Sequence, residues 1–206
     1  MGLNELVSQL CDEIRKLPEG EKISALNMAR EQLHQISPFA AEPVDCVIWV
    51  PNDQVEANDY NPNTVAPPEM KLLEISISED GYTQPIVAWG KNEYYEVVDG
   101  FHRNRVGKES PEICERVHGY LPLTLISKGR EDRGDRIAAT IRHNRARGKH
   151  QVAAMSDIVL ELSRRNWSDA KIGRELGMEP DEVLRLKQIT GLAELFKDVE
   201  FSQAWE

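Results

Sequence analysis

Val97-Val98-Asp99-Gly100-Phe101-His102-Arg103-Asn104-Arg105-Val106-Gly107 places a glycine and two arginines where a strand stops and a helix begins. Before it, Ile86 to Trp89 and Tyr94 to Val98 are two runs rich in β-branched and aromatic residues, joined at Gly90-Lys91-Asn92-Glu93, which predicts a β-hairpin. The second strand breaks at Asp99-Gly100. A glycine there lets backbone N–H groups approach an anion closely, and the helix N-terminus adds partial positive charge. His102, Arg103 and Arg105 supply the donors that phosphate oxygens prefer. Taken alone, the same residues also describe a common Asp-Gly turn followed by a solvated, Arg-rich helix face.

Upstream, Leu72 to Asp80 predicts a short helix, Gly81 a stop, and Gln84-Pro85-Ile86-Val87 the entry to a strand. Helix, glycine, Gln-Pro-Ile, strand and Asp-Gly-x-x-Arg-x-Arg together resemble the ParB/sulfiredoxin superfamily over about residues 45–190. Four places carry the resemblance. Asn61-Pro62-Asn63 resembles an Asn-Pro-Arg box, with the arginine missing, and Gly81 to Pro85 is the second. Gly100 to Val106 is similar to the Gly-Glu-Arg-Arg-x-Arg-Ala phosphate motif of ParB and to the Gly-Cys-His-Arg motif of sulfiredoxin. His143-Asn144-Arg145-Ala146-Arg147 resembles the Glu-Asn-x-x-Arg box that helps ParB hold nucleotide.

The departures narrow what the resemblance implies. Phe101 stands where sulfiredoxin has its reactive cysteine, which argues against sulfinic acid reduction. His143 stands where ParB has a glutamate implicated in nucleotide turnover, so the likeness carries binding further than hydrolysis. Asp99-Gly100-Phe101-His102-Arg103 differs at one position from the Asp-Gly-His-His-Arg motif of free-serine kinases in the same superfamily. Over its whole length, including Phe201 to Glu206, the chain resembles the IbrB-type proteins. That likeness implies a co-activator of prophage gene expression, working with a partner similar to phosphoadenosine-phosphosulfate reductases.

Composition bounds these readings. With 206 residues, 40% of them apolar, the chain holds one medium domain plus a helical appendage. Cys11, Cys46 and Cys114 are far apart and show no C-x-x-C spacing, so neither a disulfide framework nor a metal site is expected. No apolar run approaches the ~18 residues of a membrane span, and residues 1–6 carry no export or myristoylation signal, so a cytoplasmic protein without membrane contact is expected.

The net charge of −10 is unevenly spread. Residues 128–174 hold 12 Lys plus Arg against 6 Asp plus Glu, a local +6. Charges beyond about 10 Å are screened, so local potential decides anion binding. Arg130 to Arg136 are interleaved with Glu131, Asp132 and Asp135, which reads as a paired helix surface. Arg142, Arg145, Arg147 and Lys149 have no acid between Asp135 and Asp157 and read as an anion footprint.

The expected fold is α+β: a ParB/sulfiredoxin-like small mixed sheet with helices, preceded by a helical hairpin and followed by a helix-turn-helix-like region. The domains expected are 1–41 (hairpin and linker), 42–130 (nucleotide-binding) and 131–206 (helical). Val44 to Val50 predicts the first strand, 52–68 a loop with Asn61 and Asn63 as lid candidates, and 69–79 a helix packing Met70, Leu72, Leu73 and Ile75 inward. Tyr120 to Ile126 predicts a strand, and Arg133 to about Arg145 a helix with Ile137, Ala138 and Ile141 inward. In 151–190, Ser168 caps a helix ending at Leu176, Gly177-Met178 turns, and Pro180 opens the next helix, around a core of Ala170, Ile172, Leu176, Val183, Leu184 and Leu186.

The function expected is a ParB-like regulator that binds ATP or CTP with Mg2+ and acts on DNA or with a DNA-acting partner as a transcriptional co-activator. Gln84, Gly100, Phe101, His102, Arg103, Arg105, Asn144 and Arg147 are its nucleotide candidates; Arg145, Lys149, Arg185, Lys187 and Gln188 are its DNA candidates. The helix 179–190 carries three acids and two bases, and acids in a first turn disfavour major-groove entry, so a purely supporting helical bracket stays open. The alternative is an NTP hydrolase or small-molecule kinase, with Glu56, Asp59 and Asp99 as catalytic candidates. The surplus leucines of residues 3–36 predict a homodimer.

Overall fold

The computed structural model of the chain describes residues 2–60, 67–91, 93–126, 132–145 and 152–195, with backbone alone for 143–145, 152–153 and 190–195. The chain divides into two units, residues 1–57 with 66–128 and residues 58–65 with 129–206. In the first, α1 (Leu3–Arg15) and α2 (Glu19–Gln35) form the expected hairpin around Pro18. No residue of α1 is buried, and Leu3, Leu6, Val7 and Leu10 are exposed.

The first strand starts later than the apolar run suggested. Pro43–Asp45 is a single 3-10 turn, Val44 is exposed, and β1 is Ile48–Pro51. The Pro43 carbonyl accepts the Cys46 N–H and the Thr124 hydroxyl, bonds that hold the turn and exclude a strand there. Within the expected 52–68 loop, Asn52–Gln54 is a 3-10 turn and Val55–Glu56 a short strand, β2. Then come α3 (Pro67–Asp80), β3 (Ile86–Gly90), β4 (Tyr95–Asp99), α4 (Phe101–Glu109), α5 (Pro111–Arg116) and β5 (Tyr120–Leu125).

The strands form one mixed sheet in the order β1-β5-β3-β4-β2. The β3–β4 hairpin is antiparallel as expected, while β5 runs parallel to β3 and pairs antiparallel with β1. Ile86, Ala88, Val97, Leu121 and Leu123 are fully buried in its core. β1 is an edge strand, whose outward N–H and C=O need partners or water. The Asn27 side chain supplies both: its amide donates to the Trp49 carbonyl (2.7 Å) and accepts the Trp49 N–H (3.0 Å). One side chain on α2 thus does what a neighbouring strand would do, and fixes α2 along that edge.

On α3 the inward face is Met70, Leu73 and Ile77, packed with Val106 and Ile113. Leu72 and Ile75, expected inside, are exposed. Arg116 of α5 closes the C-terminal end of α3, donating to the carbonyls of Ser78 (2.7 Å) and Ile77 (2.6 Å), the latter also accepting the Gly81 N–H at 3.0 Å.

The second unit is helical: α6 (Arg133–Arg145), α7 (Val152–Arg164), α8 (Asp169–Leu176) and α9 (Pro180–Leu195). Ile137, Ala138, Ile141, Leu162, Ile172, Leu176, Val183 and Leu186 lie in its core. Ala170 and Leu184, expected there, face solvent instead. Tyr60 belongs to this core, and Arg133 lies over its ring at 5.3 Å while binding Asp59 (3.0 Å) and Glu161 (2.9 Å). Arg133 is therefore paired, though by acids from 59 and 161 rather than by the neighbouring residues that interleave with it in sequence. Among the described residues, no helix is long and apolar enough to cross a membrane.

Candidate functional site

The site starts from one backbone conformation. Gly100 takes φ +89°, which turns β4 directly into α4, and a Cβ there would lie 3.3 Å from the Ile86 Cα and about 3 Å from the Arg103 guanidinium. Only glycine fits this without strain. The first turn of α4, Phe101 to Arg103, has N–H groups with no intrahelical acceptor, no capping side chain and no acidic residue. A helix start of this kind attracts an anion.

Arg103 is drawn back across that start. Its guanidinium donates to Gln84 Oε1 (2.8 Å) and lies 3.6 Å from Asp99 Oδ2, so Gln84, Asp99, Gly100 and Arg103 form one cluster. The His102 ring stands edge-on to Phe101, with centroids 5.5 Å apart, and both of its ring nitrogens are buried with no hydrogen-bond partner. Burial first, and the nearby Arg105 charge second, hold its pKa below the usual histidine value. The amide oxygen of Asn104, two residues on, is likewise buried and unpartnered. Buried polar atoms are ordinarily satisfied, so His102 and Asn104 leave polar atoms in α4 that the fold itself does not use.

The remaining sequence candidates fall elsewhere. Arg105 lies on the exposed face of α4, its Nε bound to both carboxylate oxygens of Glu109 at 2.8 and 2.9 Å. Glu56 is exposed on β2, and Asp59 is bound to Arg133, which holds its carboxyl below the usual range. Asn61 and Asn63, the side chains of His143, Asn144 and Arg145, and residues Arg147 and Lys149 lie outside the described residues. Arg142 does not belong to an unpaired footprint: Glu175 of α8 binds it at 2.6 Å. Among the described residues no group of acidic, His or Cys side chains is arranged to hold a metal.

In the second unit, the Ser168 hydroxyl accepts the Lys171 N–H as the cap of α8, Gly177 ends it at φ +66°, and Pro180 opens α9. Arg185 and Gln188 are exposed one turn apart on α9, while Lys187 is tied to Asp169. Asp181 and Glu182 occupy its first turn.

Residues 39–113 match the family model of the ParB N-terminal domain, and residues 150–198 that of the IbrB-like C-terminal HTH domain. A relative from Escherichia coli (strain K12), the uncharacterized protein YbdM, is 57% identical over 201 residues, covering 97% of this chain and 95% of the relative. The chain belongs to the ParB superfamily and is of the IbrB type. It thus pairs a ParB-type domain with a helix-turn-helix domain of a DNA-associated family.

Solved ParB structures are similar to it at low identity. The C-terminally truncated ParB of Caulobacter crescentus complexed with CTP-gamma-S is 18% identical, over 73% of this chain and 83% of that one, with a TM-score of 0.40. The same truncated protein complexed to the centromeric parS site gives 15%, 74%, 79% and 0.45. A Pnob8-like ParB-N domain gives 12%, 74%, 73% and 0.47.

Two features of the ParB-type domain escaped sequence reasoning. Tyr82 sends its hydroxyl to the Arg103 carbonyl (2.9 Å), and Gly107 makes room for it, since a Cβ there would lie 2.2 Å from that oxygen. The signal was present as Gly107 one turn after Arg103, but its partner lies 25 residues away. The orphaned amide of Asn104 had no local signal at all.

Proposed function

We propose that this ParB-family protein is a nucleotide-responsive regulator: it binds ATP or CTP, with Mg2+, at the start of α4, and acts on DNA or with a DNA-acting partner as a transcriptional co-activator. The observation that supports it most is the His102 ring, buried without a partner in a first helical turn that holds no acidic residue, just after Gly100. Phosphate oxygens would accept from the first-turn N–H groups, from the Arg103 fork and from His102. Asn144 and Arg147 are further nucleotide-binding candidates on the likeness to the Glu-Asn-x-x-Arg box alone. Calorimetric titration of the full chain with ATP and with CTP tests this, and absence of binding by both removes it. A radiometric screen with each triphosphate, with and without free serine and DNA, separates a switch from a hydrolase or kinase. No observation favours the enzymes: Asp99 is 6% exposed and beside Arg103, and Asp59 is occupied by Arg133.

DNA contact would come through Arg185 and Gln188 of α9, with Arg145 and Lys149 on the sequence reading. Phosphate-dominated binding makes log K fall with log salt at about −0.9 per contact. An affinity for duplex DNA that does not change with salt, or none at low ionic strength, leaves the partner protein as the route to DNA. A reductase-like partner of that kind rests on the IbrB-type resemblance, and co-purification with it is the direct check.

The exposed stripe Leu3, Leu6, Val7 and Leu10 on α1 supports a homodimer. Light scattering is expected to show a dimer for the natural chain and a monomer for Leu6→Glu/Leu10→Glu; a natural chain that is monomeric overturns it.

A further inference from the structure

A cavity of about 360 Å³ lies within the first unit, between α2, the β1 edge and the end of α5. It is separate from the start of α4. Its apolar walls are Ile23 and Leu26 from α2, Val117, and the rings of Trp49, Tyr82 and Tyr120. Trp49 and Tyr82 meet edge to face, with centroids 6.5 Å apart and planes at 87°. The Tyr82 ring is held by its bond to the Arg103 carbonyl, the Trp49 ring packs edge-on against it, and the Asn27 bonds fix the Trp49 backbone on α2.

The polar side of this cavity carries two guanidinium groups and an imidazole. Arg30, Arg116 and His118 line it. His118 is held by Glu19 at 2.6 Å. Arg116 donates to two main-chain carbonyls, and Arg30 makes one 3.3 Å bond to Asn27 Oδ1. Among the described residues, neither guanidinium has a carboxylate within ion-pair distance. An acidic protein has placed two such arginines on a pocket that holds no acid, and a guanidinium recognises a carboxylate or sulfonate through its fork. The volume matches the lower range of small-molecule sites.

We propose that this cavity binds a small aromatic monoanion, its ring against Trp49 and Tyr82 and its acid group on Arg30. The probe is 8-anilinonaphthalene-1-sulfonate, titrated by fluorescence into the full chain beside neutral N-phenyl-1-naphthylamine, with 1-naphthoate as competitor. One anion per chain is expected, displaced by 1-naphthoate. Arg30→Gln is expected to weaken the anion about tenfold and the neutral amine less than about twofold. Ile23→Trp, which fills the cavity, is expected to abolish both, and Leu26→Phe serves where that variant does not fold by circular dichroism. Leu6→Ser/Leu10→Ser on α1 is expected to change neither. The proposal is overturned by anion binding that survives the filled cavity, that vanishes with the α1 variant, or that ignores Arg30→Gln.

Discussion

Arg103→Ala is expected to lower triphosphate affinity about ten- to hundredfold, because it removes a charge-assisted contact worth roughly 1.5–3 kcal/mol. Arg103 is chosen over Arg105 because its guanidinium lies back over the start of α4, bound to Gln84 and 13% exposed, whereas Arg105 is occupied by Glu109 on the open face. Arg103→Lys keeps the charge but loses the fork and is expected to fall between the two. Equal binding of ATP and CTP by the natural chain and by Arg103→Ala would sink the assignment. The same titration carries a pH signature. Burial keeps His102 neutral near pH 7, and a phosphate beside it favours the protonated ring. Binding then takes up a proton, so affinity rises as pH falls from about 8 to about 6, and the measured enthalpy depends on the buffer. His102→Phe is expected to abolish that dependence while keeping the ring contact with Phe101.

What was legible in the sequence is what a single residue enforces on its own backbone. Gly100 at φ +89°, Gly177 at φ +66°, the Ser168 cap and Pro180 at the head of α9 each meet a local requirement, so the strand-to-helix turn and the helix-turn-helix were readable. The α3 face was not. Its apolar residues at 70, 72, 73, 75 and 77 offer two competing stripes, and the choice was made by Val106 and Ile113, which lie outside the helix. Local pattern ranks such faces poorly because tertiary partners decide them. α5 had a visible start at Ser110-Pro111 but only six residues, too few for periodicity to show.

Charge was the least legible property. Arg142 looked unpaired because no acid lies near it in sequence, yet Glu175 reaches it from α8, 33 residues later. Arg133 looked paired with its neighbours and instead binds Asp59 and Glu161. Counting acids along the chain measures neighbours in sequence, while ion pairs form across the fold. The site cluster suffered the same limit: Gln84 and Arg103 were both candidates, but their contact, and the orphaned atoms of His102, belong to packing.

Gly173→Val is expected to destabilise the helix-turn-helix by about 2–3 kcal/mol. Two effects oppose each other at this position. Helix propensity favours replacing a mid-helix glycine, by up to about 1 kcal/mol for alanine. Packing forbids it: a Cβ at 173 would lie 2.8 Å from the Met178 carbonyl oxygen, and main chain cannot escape by changing rotamer. That carbonyl is close because the Met178 N–H returns to the Gly173 carbonyl at 2.8 Å, the bond that closes α8 at Gly177 and aims the chain into α9. The clash with the Met178 carbonyl should win even for Gly173→Ala, although Val183 Cγ2, at 3.8 Å from the added Cβ, need not move. Gly20→Ala in α2 is the matched control, since nothing lies within 4 Å of its Cβ, and there propensity alone should act in the stabilising direction. Urea unfolding followed by circular dichroism reads both. Should Gly173→Ala raise the midpoint as Gly20→Ala does, the close approach of Met178 to α8 is wrong, and with it the geometry that presents Arg185 and Gln188 on one face of α9.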